Sequence, residues 1–330
     1  IETSAIWRGV NSSSILEPVA RLYGLTGEER YRQFAEEIIR CGGARDGNLF
    51  QLAYADHIPP YQYPVTKAYE TISCFEGLLA FYRATGVERY KTAAVQFGKQ
   101  LLKTDFTVIG CCGTYHEQFD HSTNRQANTN NVDVMQETCV TVTVMKFFYQ
   151  LLLLTGDPTF ADAFERSLYN AYLGSYNTEQ KIGRIQAPAS DRPFLPEPLP
   201  FDSYSPLTAG IRGVSTGGFN ILSDGSTYGC CACIGAAGCG LIDKVAVLSF
   251  PEGVAVNLFL SGVVTTVTPE GNPLTLHMET NYPKEGRVRV ILSPEQPEEF
   301  ALTVRIPAWS RETALLVNGQ PWPVQQGFCS

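Results

Sequence analysis

The chain has no run of eighteen consecutive apolar residues, the length that a membrane-spanning helix requires. Its longest apolar stretch, from Val144 to Leu154, is interrupted by Lys146 and Gln150. Clusters of lysine and arginine are absent as well, and the formal net charge is -8. These absences argue against a transmembrane segment and against nucleic acid or an anionic membrane surface as a partner. We therefore expect a globular protein that binds a neutral small ligand.

An initiator methionine and a signal-like segment are also missing, and the chain ends directly after a strand-like stretch. This pattern predicts a fragment of a longer protein or an incomplete gene model. Ten cysteines in 330 residues are too few for a small secreted disulfide scaffold. Free thiols favour a reducing cytoplasm, and an exported form whose leader is lost stays open. The sequence is compatible with a homo-oligomer and does not define one.

One sequence pattern recurs three times: a Thr-Gly pair, then an acidic residue, then an aromatic residue. The glycines of the three copies are Gly27, Gly86 and Gly156. Apolar residues with helical period precede each glycine, and glycine can end a helix in the left-handed conformation. Each copy therefore predicts the corner of an αα-hairpin. Because one hairpin cannot bury its own apolar face, three of them indicate stacked or ring-closed helical pairs.

The periodicity of the sequence changes twice in the second half of the chain. Residues 178–229 are rich in proline and glycine, which predicts long loops. After Ser249 the period is two, and strands are predicted at 254–259, 263–267, 274–278, 287–291 and 300–306. We therefore expect a helical domain over residues 1–249 and the start of an antiparallel β-sandwich over residues 250–330.

The most informative chemical groups are one carboxylate and three thiols, those of Glu137, Cys139, Cys230 and Cys231. Thiolates suit Zn²⁺, and four ligands complete its tetrahedron. The neighbours Cys230 and Cys231 cannot easily form a disulfide with each other, because disulfide geometry needs a larger Cα separation than adjacent residues comfortably allow. These residues are therefore candidates for a zinc site.

Other interpretations of the cysteines stay open on the residues alone. A local structural zinc cluster could use only closely spaced thiols, namely Cys230, Cys231, Cys233 and Cys239. The adjacent pair Cys111 and Cys112 lies between two glycines, which is compatible with a second metal or redox site or with a tight loop of inert thiols.

Five phrases follow one another over nearly the whole chain. They are Trp7-Arg8-Gly9, Lys67-Ala68-Tyr69-Glu70, Glu137-Thr138-Cys139, Cys230-Cys231 and Arg305-Ile306-Pro307-Ala308-Trp309. In this order they resemble signatures of the bacterial β-L-arabinofuranosidases of glycoside hydrolase family 127. The resemblance implies an (α/α)6 barrel followed by β-sandwich domains. Members of that family are much longer, so several barrel helices and most of the sandwich region are expected to be absent here.

The resemblance also implies a role for each matching residue. Zn²⁺ would be held by Glu137, Cys139, Cys230 and Cys231, with Cys230 as the nucleophile. Glu117 matches the general acid/base, although His116 stands where the family has glycine. His57 matches a position that hydrogen-bonds the sugar, and Tyr204 matches a tyrosine that approaches the nucleophile.

Physical chemistry is compatible with these roles. A retaining glycosidase normally uses two carboxyl groups, one as nucleophile and one as acid/base, and a thiolate can replace the nucleophilic carboxylate. A bound metal keeps a coordinating thiol deprotonated. Three thiolates and one carboxylate on one dication carry a net charge of about -2, which would stabilise an oxocarbenium-like transition state. We predict a retaining glycoside hydrolase that acts on plant-derived oligosaccharides.

Two further functions remain open from the sequence. The first is a non-catalytic remnant that binds zinc or carbohydrate without turnover. The second is an inverting hydrolase that pairs Glu117 with a second carboxylate, Asp120 or Asp133, in which the cysteines are merely structural.

Overall fold

The computed structural model describes residues 6–115, 117–127, 135–176, 201, 203–207, 219–221 and 227–329. The chain divides into two compact units. The first comprises Ile1–Leu154 and Arg166–Gly238, and the second comprises Thr155–Glu165 and Cys239–Ser330. The domain boundary that the sequence pattern places at residue 250 stays a prediction.

Helices dominate the first unit, which we call the helical unit. They are α1 (Val10–Ser13), α2 (Leu16–Thr26), α3 (Glu29–Cys41), α4 (Leu49–Ala55), α5 (Ala68–Thr85), α6 (Glu88–Thr104), α7 (Ser122–Arg125) and α8 (Thr138–Thr155). Helix α9 (Pro158–Arg166) follows in the chain and lies almost wholly in the second unit. Helix α10 (Cys230–Ala246) begins in the helical unit.

Short strands pair two by two within the helical unit. The pairs are β1 (Gly43–Ala44) with β2 (Gly47–Asn48), β3 (Met135–Glu137) with β4 (Tyr204–Pro206), and β5 (Phe219–Ile221) with β6 (Thr227–Gly229). Strands β4, β5 and β6 lie in the segment that was predicted to be loop. The prediction was wrong at these positions, because a three-residue strand is too short to show an alternating pattern. Most of the remaining segment lies outside the described residues.

The predicted helix corners are confirmed. Helices α2, α5 and α8 each end one residue before the expected glycine, and α3, α6 and α9 begin shortly after it. Gly27, Gly86 and Gly156 have φ values of 67°, 72° and 65°. A Cβ at any of the three would have no atom within 4 Å, so the left-handed backbone, and not crowding, explains the glycine.

Helix α8 forms the centre of the helical unit. Most of its side chains are buried, and Phe147 packs in an aromatic cluster with Phe97 and Phe75, whose rings stack 3.8 Å apart. Its 18 residues have a mean hydropathy of 1.5, so by length and composition alone it could cross a membrane. However, 72% of this span is buried against the rest of the chain, which is typical of a core helix.

The second unit, which we call the β unit, contains the strands that the period-two pattern predicted. They are β7 (Val247–Phe250), β8 (Gly253–Val256), β9 (Gly262–Val267), β10 (Pro273–Thr280), β11 (Val288–Pro294), β12 (Ala301–Ile306), β13 (Leu315–Val317), β14 (Gln320–Trp322) and β15 (Gly327–Cys329). One sheet has the order β15-β12-β8-β7 and another the order β11-β10-β9, while β13 and β14 form a hairpin.

The two larger sheets of the β unit share one apolar core. Val254 and Val256 from β8 lie in this core with Leu274, Leu276 and Met278 from β10. This is the arrangement expected of sandwiched sheets. One detail departs from the expected antiparallel pattern, because β12 pairs with β8 in parallel.

Candidate active site and metal centre

The four predicted zinc ligands come together in the helical unit. Glu137 is the last residue of β3, and Cys139 lies in the first turn of α8. Cys230 and Cys231 open α10. Their ligand atoms all lie within 4.8 Å of one another. Both helices direct their N-terminal ends, where the helix dipole favours negative charge, towards this group.

The individual contacts within this thiol–carboxylate centre are close. The Sγ atoms of Cys139 and Cys231 are 3.3 Å apart, and those of Cys230 and Cys231 are 3.8 Å apart. The Cys231 thiol lies 3.5 Å from Oε1 of Glu137. Glu137, Cys139 and Cys231 are buried, whereas Cys230 is only half-buried. Cys230 is therefore the most accessible thiol of the four-residue group.

The protein environment disfavours negative charge in this centre. Burial raises the pKa of the Glu137 carboxyl to about 7, an effect that Lys67 opposes and Cys230 reinforces. Hydrogen bonding to Cys230 and Cys231, together with burial, raises the pKa of the Cys139 thiol. The hydrogen bond with Cys139 lowers the pKa of Cys231, but Cys230 and burial outweigh it and raise that pKa. Four potential anions thus share one buried volume.

The donor set fits a zinc ion. Oε2 of Glu137 is buried and has no hydrogen-bond partner among the described residues, although buried polar atoms are normally paired. Three sulfur atoms and one carboxylate oxygen are ligands that Zn²⁺ accepts. The centre is therefore a buried group that could bind a metal ion.

Glu117 lies beside two further polar side chains. The Lys67 ammonium forms an ion pair with Oε2 of Glu117, and the Tyr204 hydroxyl donates a 2.5 Å hydrogen bond to Oε1. Tyr204 also pairs in register with Glu137 across β3 and β4. Burial, Glu137 and the three thiols all raise the pKa of the Tyr204 phenol. Tyr204 therefore connects the predicted acid/base residue to the thiol–carboxylate centre.

The backbone and Trp7 hold this arrangement in place. Glu117 has a left-handed φ of 59°, and its carbonyl accepts a hydrogen bond from the Ala68 amide at 2.8 Å. The Trp7 ring covers the Lys67 ammonium at 4.8 Å. Lys67 and Glu117 are 50 residues apart in the sequence, so no local pattern identified the Lys67 side chain as functional. Its phrase carried the family resemblance without a role.

Other predicted site residues lie elsewhere or serve other contacts. His57 is exposed in the loop after α4, and its contact with sugar stays a prediction. Asp120 accepts hydrogen bonds from Thr114 at 2.7 Å and Ser122 at 2.6 Å, so it stabilises its own loop. His116 and Asp133 lie outside the described residues.

The remaining cysteines are separate from the four-residue group. Cys233 and Cys239 are exposed on α10. Cys111 and Cys112 are buried, and burial raises the pKa of the Cys111 thiol to about 12. The Cys111 thiol donates to the Glu137 carbonyl at 3.6 Å, which supports the end of β3.

The fold is that of a helical domain of the (α/α)-barrel type followed by a β domain. The chain belongs to the β-L-arabinofuranosidase family GH127, since the pattern of the GH127 catalytic domain matches residues 7–194 and that of the GH127 middle domain matches residues 253–328. The family resemblance and the expected fold class are thereby confirmed.

Individual relatives agree with this assignment. A non-reducing end β-L-arabinofuranosidase of Bifidobacterium longum subsp. longum is 24% identical over 92% of this chain and 47% of its own length. A GH127 β-L-arabinofuranosidase structure from Geobacillus stearothermophilus T6 superposes with a TM-score of 0.66 at 20% identity, over 95% of this chain and 50% of that one. A second structure, described as a glycoside hydrolase, gives 0.67 at 22% identity, over 99% and 55%. The chain thus spans about half the length of these relatives.

Proposed function

We propose that this protein is a retaining glycoside hydrolase of the β-L-arabinofuranosidase type that acts on plant-derived oligosaccharides through a zinc-bound cysteine. The observation that carries the proposal is the convergence of Glu137, Cys139, Cys230 and Cys231, whose ligand atoms lie within 4.8 Å of one another. Membership of the GH127 family supports the reaction class.

Four residues would hold the metal, namely Glu137, Cys139, Cys230 and Cys231. A bound Zn²⁺ supplies a positive charge that keeps its thiol ligands deprotonated at neutral pH. Cys230 is the proposed nucleophile because it is the half-buried member of the group, whereas the others are buried. A substrate can reach a half-buried sulfur more easily than a buried one.

The first step forms a bond between Cys230 Sγ and the anomeric carbon and breaks the glycosidic C–O bond. The leaving oxygen takes a proton from the protonated Glu117 carboxyl, which thereby becomes the carboxylate that pairs with Lys67. In the second step, Glu117 accepts a proton from water, the water oxygen bonds to the anomeric carbon and the C–S bond breaks. Two displacements give overall retention of configuration.

Tyr204 and Lys67 have supporting roles in this proposal. The Tyr204 hydroxyl and the Lys67 ammonium each donate to a different oxygen of Glu117, so they fix the orientation of the carboxylate. Two donors also stabilise the charged form that accepts the proton from water. We therefore propose both as positioning residues for Glu117.

The alternative inverting mechanism needs a second carboxylate that activates water. Asp120 is a poor candidate, because Thr114 and Ser122 occupy its carboxylate oxygens. No second function is therefore proposed beside the retaining one.

Zinc content and hydrolysis, measured together, test the proposal. Purified chain should contain one Zn²⁺ and hydrolyse an aryl β-L-arabinofuranoside, and chelation should abolish turnover. Cys139→Ser should lose zinc and activity, whereas Cys233→Ser should lose neither, since Cys233 is an exposed cysteine on α10 outside the group.

Each other outcome has a distinct meaning. Zinc without turnover would indicate a non-catalytic remnant. Zinc lost in Cys233→Ser and kept in Cys139→Ser would indicate a local structural cluster. If NMR shows inverted configuration in the first-formed product, Cys230 is excluded as the nucleophile.

A further inference from the structure

A cavity of about 170 Å³ lies in the helical unit. Its wall contains hydroxyl groups, two carboxyl groups, one ammonium group and two aliphatic side chains. The polar lining includes Glu17, Tyr69, Ser73, Glu76, Thr143 and Lys146. A cavity of about 150 Å³ can hold a six-membered ring, so this volume suits one small cyclic molecule.

The cavity adjoins the thiol–carboxylate centre. On α8, Thr143 and Lys146 follow Cys139 by four and seven residues, which places all three on one helix face. On α10, Ile234 follows Cys230 by four residues. The helix faces that carry the two thiols therefore continue into the cavity wall.

Tyr69 gives independent evidence for this proximity. Tyr69 lines the cavity, and burial raises the pKa of its phenol to about 12, a shift that Cys139 and Glu76 reinforce and Lys146 opposes. One phenol thus senses a thiol of the centre and a carboxyl group of the cavity.

Lys146 bridges the two carboxyl groups of the cavity. Its Nζ lies 2.7 Å from Oε2 of Glu17 and 3.0 Å from Oε2 of Glu76. A lysine ammonium has three N–H donors, so one donor remains after these two contacts. The Lys146 side chain lines the cavity and is 36% exposed.

Neighbouring side chains hold the carboxyl groups of Glu17 and Glu76 in place. Gln150 donates to Oε1 of Glu76 at 3.3 Å, and Arg83 donates to Oε1 of Gln150 at 2.9 Å. Arg21 forms an ion pair with Glu17 at 2.8 Å. Because the carboxyl groups are held from behind, the Lys146 ammonium presents a preorganised donor next to fixed acceptors.

This chemistry favours a neutral polyhydroxylated ring. Sugar hydroxyls both donate and accept, so they match an ammonium donor between carboxyl acceptors and the hydroxyls of Ser73 and Thr143. Val142 and Ile234 offer an apolar surface to ring carbons. An anionic ligand would face the Glu17 carboxylate, which pairs with Lys146 and Arg21, and the two negative charges would repel each other.

We propose that this cavity binds a neutral sugar unit of the substrate, that Lys146, held between Glu17 and Glu76, donates to one of its hydroxyls, and that the Glu17 carboxylate selects against acidic sugars. That the bound sugar is a unit of the substrate rests on the proposed function, but binding itself can be measured without turnover. In this proposal Lys146 is a binding residue and Glu17 is a specificity-determining residue, and neither takes part in bond cleavage.

Direct binding to the full chain, loaded with zinc, provides the test. The probes are L-arabinose as the neutral sugar and D-galacturonate as the acidic one, and ligand-observed NMR measures their binding. We expect binding of L-arabinose and at least about tenfold weaker binding of D-galacturonate. Lys146→Met should weaken L-arabinose binding about tenfold, the effect typical of losing a hydrogen bond from a charged group.

Two further variants protect the test against misfolding. Ser73→Leu should fill the cavity, leave the Glu17–Lys146–Glu76 group intact and abolish binding of L-arabinose. Lys99→Met changes an exposed lysine of α6 and should leave binding unchanged. Equal binding by the wild type, Ser73→Leu and Lys146→Met would overturn the proposal, as would tighter binding of D-galacturonate.

Turnover separates this proposal from the proposed function. If the wild type hydrolyses an arabinofuranoside with the same KM as Ser73→Leu, the cavity assignment fails and the enzymatic function stands. If no variant hydrolyses the substrate but L-arabinose binding depends on Ser73 and Lys146, the proposed function fails and the cavity assignment stands.

Discussion

The helical unit and the β unit each contain a buried charged cluster, but the two clusters differ in how complete they are. In the β unit, the guanidinium of Arg305 is fully buried and donates to the Asn257 carbonyl at 2.7 Å and to Asp162 at 2.6 Å. It also forms an ion pair with Glu165. Glu165 accepts further hydrogen bonds from Tyr282 at 2.8 Å and Trp309 at 3.0 Å.

The thiol–carboxylate centre of the helical unit has the opposite character. It gathers a carboxyl group and three thiols, and Oε2 of Glu137 lacks a hydrogen-bond partner among the described residues. A cluster that contains its own counter-ion is already neutralised, so it has a structural role and offers no uncompensated charge to a ligand. A cluster that collects potential anions requires a cation from outside, which makes it a candidate for chemistry.

The largest expected effect is a loss of hydrolysis rate when Glu117 or Lys67, beside the thiol–carboxylate centre, is replaced. Glu117→Gln should slow hydrolysis of alkyl arabinofuranosides about 10²- to 10⁴-fold, the usual contribution of general acid catalysis. Aryl arabinofuranosides with good leaving groups need little protonation and should be affected much less. Lys67→Met should give a smaller loss with the same dependence on the leaving group, because it acts through the orientation of Glu117.

Zinc content is the control in this experiment and should not change in either variant. Lys103→Met, a change in the last turn of α6, should leave kcat unaltered. Equal losses on alkyl and aryl substrates would argue against the acid role of Glu117. A loss of zinc in Lys67→Met would show that Lys67 supports the metal centre and not the acid/base residue.

A second prediction concerns stability and the cluster of the β unit. Arg305→Met leaves the buried Glu165 and the half-buried Asp162 without their cation, so the free energy of unfolding should fall by about 3–5 kcal/mol. Arg289→Met is the matched control, because Arg289 pairs with Glu279 at 3.1 Å on the surface. Exposed ion pairs are worth about 0–1 kcal/mol. Urea unfolding curves that show equal effects for both variants would contradict the structural role of Arg305.

The elements that local patterns control could be predicted from the sequence. The three corner glycines and the strands of the β unit follow from backbone conformation and from a period of two, and the structure confirms them. The phrase Arg305-Ile306-Pro307-Ala308-Trp309 carried the resemblance, and its structural reason is now visible. Arg305, Ala308 and Trp309 all donate to carboxylates of α9.

Long-range contacts could not be predicted from spacing. Cys139 and Cys231 are 92 residues apart, and only the family resemblance placed them in one centre. The cavity was missed although a signal exists in the sequence. Glu76 and Lys146 stand at positions of α5 and α8 where the helical period requires apolar residues, and Glu76 is 1% exposed. A charged residue inside such a pattern indicates a buried polar group with a distant partner.

The smallest predicted effect tests whether burial disfavours the charged form of Glu76 in the cavity, as it does for Glu137 in the thiol–carboxylate centre. Burial raises the pKa of the Glu76 carboxyl to about 8 from an ordinary value of 4.5, although Lys146 opposes this shift and Glu17 reinforces it. Between these two pKa values the folded state keeps the proton of Glu76, which the unfolded state has lost. The stability that Glu76 contributes therefore falls as the pH rises. From pH 5 to pH 8, the wild type should therefore lose free energy of unfolding relative to Glu76→Gln, on the order of 1 kcal/mol per pH unit at the steepest point. Glu76→Gln lacks the titrating carboxyl, so the difference between the two proteins reports on Glu76. Urea unfolding at a series of pH values measures the difference, and a difference that stays constant or grows in favour of the wild type would show that Glu76 is ionised throughout by its contact with Lys146.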